Sequence, residues 1–217
     1  MGEGAYLAVE ECLNTGTIRA EYCQYDSNLG GIIGSGKDFF INQCNNDYSF
    51  LTIHEEENSR INKISTGVGG IVGRCEELEG INFIINSGNS GNITSDAQVA
   101  KTGGLAGVCD TLYIENCLNI GSITNADNNI NNFCDSGTMV GAWERNRKGN
   151  IVNSYYINNS KQIVGNLKNT LFEDDVKALL AAEIGEENSY KNFDFNSIWE
   201  IGESGYPIIS EIVKLSE

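Results

Sequence analysis

Proline and histidine each occur once in this 217-residue chain, and only 14 lysines and arginines stand against 30 aspartates and glutamates. Each scarcity excludes something. With a formal net charge of −16, the chain has no cationic excess with which to release counterions from nucleic acid, and anionic membrane surfaces are equally poor partners. No apolar run approaches the roughly 20 residues of a membrane span, so membrane insertion is not expected. No charged-then-apolar leader opens the chain, which reads as a soluble fragment or mature segment. The seven cysteines never form a C-x-x-C pair, which argues against zinc ribbons and thioredoxin-type sites. A core of this size needs no disulfides, and most of these cysteines read as small apolar core residues.

What the chain does have is turn chemistry. There are 25 glycines and at least as many asparagines, and the hydrophobic content of 40% suffices for a real core. Many short turned segments suit this composition better than long helices, so the expectation is an all-β protein. One stretch, Gly31-Ile32-Ile33-Gly34-Ser35-Gly36-Lys37, has the G-x-x-x-x-G-K spacing of a phosphate-binding loop, with Asp38 where a magnesium-binding Ser or Thr belongs.

That stretch is one member of a series. Gly30-Gly31-Ile32-Ile33-Gly34 returns as Gly69-Gly70-Ile71-Val72-Gly73, as Gly103-Gly104-Leu105-Ala106-Gly107 and, worn, as Gly137-Thr138-Met139-Val140-Gly141, at steps of 39, 34 and 34 residues. A vestige, Ile163-Val164-Gly165, follows after 24. Between the boxes lies a second pattern, Cys12-Leu13-Asn14-Thr15-Gly16-Thr17-Ile18, repeated at Ser87 to Ile93 and at Cys117 to Ile123. The copy at Cys44-Asn45-Asn46 is degraded and is followed by an insert from Tyr48 to Ile64. A phosphate-binding loop does not recur along its chain, and Phe39-Phe40-Ile41 reads as strand where a helix should begin, so nucleotide binding is not expected.

Each repeat offers three short apolar segments separated by turns. A single such coil cannot bury its inner face, but stacked coils can, and this predicts a β-helix solenoid. Equivalent positions then form columns: Ile32, Ile71, Leu105 and Met139 in one, and Ile18, Ile93 and Ile123 in another. Glycine is expected at the corners for its access to positive φ, with asparagine tolerating the same conformation. Asparagine side chains are expected to stack as hydrogen-bonded ladders.

The pattern changes near residue 169, which divides the chain into repeats (1–168) and a C-terminal helix and capping segment (169–217). Thr170-Leu171-Phe172-Glu173 resembles a capping box, and Val176, Leu179, Leu180 and Ile184 stand at helical spacing before Gly185, which predicts an α-helix from Phe172 to Ile184. Phe193, Phe195, Trp199 and Tyr206 read as packing residues of a cap over the last coil, with an aromatic sugar-stacking platform as the alternative.

Catalytic patterns are scarce. His54-Glu55-Glu56-Glu57-Asn58 starts like a zinc-binding H-E-x-x-H motif but has Asn58 in place of the second histidine. A serine triad would also need His54, and no G-x-S-x-G elbow occurs. Paired carboxylates for glycoside cleavage need only Asp and Glu, yet Asp96, Asp110, Glu115 and Asp127 have no spacing that favours them. The loop from Asn125 to Asp135 offers oxygen ligands for calcium without the arrangement of a dedicated site. No catalytic, cofactor-binding or metal-binding residue is therefore assigned.

The box at Gly69 to Gly73 and Gly103 to Gly107, with Asn116-Cys117-Leu118-Asn119-Ile120-Gly121-Ser122-Ile123, resembles the GLUG-motif repeats of bacterial surface proteins. The ending is similar too, in Ser154-Tyr155-Tyr156, Phe193-Asp194-Phe195, Trp199-Glu200-Ile201 and Tyr206-Pro207. This resemblance implies a right-handed parallel β-helix, a secreted or wall-attached location, and a place within a longer adhesin-like chain or beside IgA-cleaving metallopeptidases. The expected function is a non-catalytic extracellular segment that serves as a stalk or binds a host protein or glycan, alongside other domains of the same chain. The alternatives are a carbohydrate-active β-helix enzyme and an accessory region of a secreted metallopeptidase.

Overall fold

The computed structural model describes residues 3–23, 27–47, 50–55, 66–95, 99–125, 134–144, 149–157, 162–167 and 171–210. Its architecture follows from the repeats. Among the described residues the coil strands pair in parallel with their counterparts in the neighbouring coils, and only Trp199–Ile201 and Pro207–Ile209 pair antiparallel. The chain is a parallel β-helix.

A full coil carries five strands where three segments are expected. In the fourth coil these are Ala106–Cys109, Tyr113–Glu115, Leu118–Asn119, Ile123–Asn125 and Asp135–Gly137, one in each of five sheets. Among the described residues the first three sheets have six strands each, and the fourth and fifth have four. The difference arises because the glycine box is two strands: Thr66–Gly69 closes one coil, Gly70-Ile71 bends, and Val72–Glu76 opens the next. The short step before Ile163 also has a cause. In the fifth coil, Val140–Trp143, Gly149–Val152 and Tyr155–Ile157 lead on to Val164–Leu167, and no fourth- or fifth-sheet strand intervenes among the described residues. The insert after Tyr48 preserves the ladder, since Phe50–Glu55 pairs with both Ile18–Cys23 and Asn92–Ser95.

Both expected columns form. Backbone bonds of 2.9–3.0 Å join Ile32 to Ile71, Ile71 to Leu105, Leu105 to Met139 and Met139 to Ile163. The first four of these residues lie in the central core with Ile41, Ile84, Ile114 and Ile151. In the other column Ile18, Leu51, Ile93 and Ile123 are in register. Asparagines at the equivalent third-sheet position, half-buried at Asn14 and buried at Asn46, Asn89 and Asn119, make the expected ladder. The amide of Asn14 donates to Asn46 at 2.7 Å, Asn46 to Asn89 at 2.6 Å, Asn89 to Asn119 at 2.8 Å, and Asn119 to the Thr138 carbonyl at 2.8 Å. In the N-x-G turn that follows, the Gly16 and Gly121 amides donate to Asn14 and Asn119 at 3.1 and 3.2 Å.

The glycine expectation needs correction. Among the described glycines only Gly205 has positive φ. The left-handed corner lies between the second and third sheets and uses Glu11, Gln43, Asn86, Asn116, Asn153 and Asp175, one per coil, with φ between 46° and 53°. Asparagine does tolerate this conformation, as expected. The box glycines instead permit close backbone approach: a β-carbon on Gly103 would lie 2.0 Å from the Ala106 carbonyl oxygen and 2.5 Å from the Gly141 nitrogen.

The predicted helix from Phe172 to Ile184 is also corrected. Leu171–Asp174 and Lys177–Leu179 are strands paired in parallel with Gly149–Val152 and Tyr155–Ile157, joined through the left-handed Asp175. Coil pairing thus runs to Leu179, past residue 168. The preceding coil offers a ready ladder edge, and this outweighs local helical spacing. Between Leu179 and Trp199 the helical element is a 3-10 turn, Glu187–Ser189. The aromatic tail does not simply cover the last coil. Tyr190, Phe193, Trp199 and Ile209 pack along the outer flank of the third sheet against Leu118, Tyr155 and Leu179, with Leu13 of the first coil at the edge of the cluster. The Tyr206 hydroxyl reaches Asp47 in the second coil at 3.2 Å.

Candidate functional site

The apparent phosphate loop is a strand, Ile33–Lys37, in register with Val72–Glu76. Its lysine pairs with Glu76 at 2.8 Å, and Arg74 lies 3.3 Å from Glu76 and 3.7 Å from Glu144. Lys37 and then Arg74 hold the Glu76 carboxyl below its usual range against the opposing effect of burial. Burial also opposes the charge on Asp38, yet the amides of Glu79, Leu78 and Gly80 outweigh it and lower the pKa. A carboxylate fed by backbone amides occupies the position where a magnesium-binding hydroxyl would be needed.

The remaining candidates are dispersed or already engaged. Asp110 is buried at the end of a first-sheet strand, while Glu115 lies half-buried in the second sheet and accepts the Tyr113 hydroxyl at 3.1 Å. Asp96 and Asp127 lie outside the described residues, as do Glu56, Glu57 and Asn58. His54 belongs to the fourth-sheet strand Phe50–Glu55. Asp135 pairs with Lys101 and accepts from Asn166 at 3.0 Å. Among the described residues no group of three His, Cys, Asp or Glu side chains is placed to hold a metal ion.

Of the tail aromatics, Phe193 and Trp199 are buried and stacked, with ring centres 4.6 Å apart. Packing is therefore the role of both. Tyr206 differs: it lines a cleft of about 380 Å³ between the tail and the third sheet, with Ser90, Ile120, Ile157, Ile184 and Ser204.

Stacking creates a surface that single-repeat reading misses. On the outer face of the second sheet Phe40, Phe83 and Tyr113 are in register, with ring centres 6.3 and 5.5 Å apart. Phe40 is 37% exposed, and nearby Leu78 and Ile81 are 51% and 54% exposed, so the row can be reached from solvent. Beside it runs a second asparagine ladder, in which Asn86 donates to Asn42 at 3.0 Å and Asn116 to Asn86 at 3.3 Å. The signal was present in the alignment of the boxes, but the loop at 77–82 shifts Phe83 from the spacing shared by Phe40 and Tyr113.

These features define a β-helix solenoid with an aromatic and amide-lined outer face. No family model matches the chain, and no curated protein matches it in sequence. A solved structure with a similar fold is that of a putative immunoglobulin A1 protease from Bacteroides ovatus, at 19% identity and a TM-score of 0.53. The match covers 93% of this chain and 57% of that one, so the present chain spans little more than half its neighbour's length. At this identity the likeness shows the fold.

Proposed function

We propose that this chain is a non-catalytic extracellular β-helix segment of a bacterial surface protein, and that it binds a host protein or glycan along the outer face of the second sheet. The observation that carries this reading is the solvent-reachable row of Phe40, Phe83 and Tyr113 beside an asparagine ladder. Aromatic faces supply apolar contact area and amides supply directional hydrogen bonds, the combination that extended polar ligands require. The resemblance to GLUG-motif repeats supports the location and the place within a longer chain. A screen of the purified chain against host proteins and glycans, repeated with the Phe40→Ala/Tyr113→Ala variant, tests the proposal. Binding that falls at least tenfold in the variant is expected, whereas no binding by the parent chain would leave a passive stalk.

A second reading has its own support. The fold shared with the Bacteroides ovatus protein fits a β-helix region of a larger secreted peptidase, with the chemistry carried by another part of that protein. Assay of the full-length gene product for cleavage of immunoglobulin A1 separates the two.

A further inference from the structure

Five of the seven cysteines fall into two columns with different chemistry. Cys12, Cys44 and Cys117 share a column with Ser87 and Ser154, directly after the left-handed corner. The two serine hydroxyls donate to the carbonyl two residues back, at 2.7 and 2.8 Å. The three thiols make the same bond, Cys12 to Glu10, Cys44 to Asn42 and Cys117 to Glu115, at 3.2–3.3 Å. Although the Cys44 thiol also neighbours that of Cys12, each has a carbonyl partner, and serine fills the same position in other coils. These cysteines are corner hydrogen-bond donors.

Cys75 and Cys109 differ. They are directly in register on adjacent first-sheet strands, both buried in the central core, and their sulfurs lie 3.0 Å apart, in contact with each other. Parallel neighbours stand about 4.8 Å apart, within the Cα separation of about 4.4–6.8 Å that a disulfide spans without backbone movement. Above and below, the column continues with Gly36 and Trp143, which offer no competing sulfur.

We propose that Cys75 and Cys109 are a disulfide-forming site that staples the third coil covalently to the fourth. The oxidant is a low-molecular-weight disulfide such as glutathione disulfide. One cysteine thiolate attacks it, forming a mixed disulfide and releasing one small thiolate. The second cysteine attacks the mixed disulfide at the protein sulfur, forming the Cys75–Cys109 bond and releasing the other. The two protons lost by the protein leave with the two small thiols. Exchange takes place as the coils dock, because in the folded chain burial and the neighbouring Cys75 raise the Cys109 pKa well above its ordinary value and leave little thiolate to react.

The test is refolding of the full chain in a glutathione redox buffer, alkylation under denaturing non-reducing conditions, and peptide mass spectrometry. A peptide joining Cys75 to Cys109, with Cys12, Cys44 and Cys117 alkylated, is expected. Reduction of the same sample should lower Tm by about 10 °C, because the bond closes a long loop. The Cys109→Ser variant should show no reduction-dependent shift. Comparing one chain before and after reduction keeps the test valid even where the variant folds poorly. Full alkylation of Cys75 and Cys109 after refolding, or a Cys12–Cys44 link in their place, would overturn the proposal.

Discussion

A β-carbon at Gly69 would meet the Val72 carbonyl oxygen at 2.0 Å and the Gly107 nitrogen at 2.7 Å, whereas at Gly16 the nearest atom is a side-chain oxygen at 3.5 Å. Neither glycine has positive φ. The same substitution should therefore cost much at one of these sites and little at the other. Gly69→Ala forces rigid backbones apart and is expected to cost about 2–4 kcal/mol, while Gly16→Ala should leave stability within about 0.5 kcal/mol; urea titration of both variants checks the contrast. The repeated box was legible in the sequence because its residues recur. Its reason was not, because a linear pattern does not say which backbone lies beside a glycine. The left-handed corner was equally hidden, since Glu11, Gln43 and Asp175 share it with asparagines and break any residue signature.

Elements show the same division. Strands over Leu112 to Cys117 and Gly121 to Thr124 are expected from apolar alternation and the turns between them; the stack forms Tyr113–Glu115 and Ile123–Asn125 there, and a further strand, Leu118–Asn119, between them. The segment after Asn169 was misread as helix because its spacing is helical locally, while the edge of the preceding coil, remote in sequence, dictates strand. Leu180, expected on the helix's apolar face, is 61% exposed, and Leu179 beside it is buried. Two predictions belong to this scale. Trp199→Ala removes a buried ring stacked on Phe193 and should detach the tail at 181–210 from the third sheet. Limited proteolysis should then cut the tail first and leave the coils intact, and equal resistance of variant and parent would contradict this. The Lys37–Glu76–Arg74 cluster links the second and third coils on the first sheet. Because the folded state lowers the Glu76 pKa, its contribution is full above the unfolded carboxylate value of about 4.5 and is lost as pH falls through the lower folded value. The gap in urea midpoint between parent and Glu76→Gln should therefore narrow as pH falls below about 4.5, and a gap that stays constant from neutral to acid pH would count against the pairing.

At the scale of the whole molecule, three features determine one another: the repeating box, the apolar columns and the two asparagine ladders. A single coil has no core of its own, so the columns are the protein's stability and the outer faces are its usable surface. The row of Phe40, Phe83 and Tyr113 exists only because coils separated by 30 or more residues stand in register. This is why the fold was readable from repetition, while the candidate surface became visible only after stacking. The central claim is the buried ladder, and Leu105→Asp tests it most directly. An unpaired carboxylate in the middle of the Ile32–Ile71–Leu105–Met139 column should cost about 3–5 kcal/mol, and thermal unfolding followed by circular dichroism should show Tm lowered by about 10 °C or more. A Tm equal to that of the parent chain would contradict the stack.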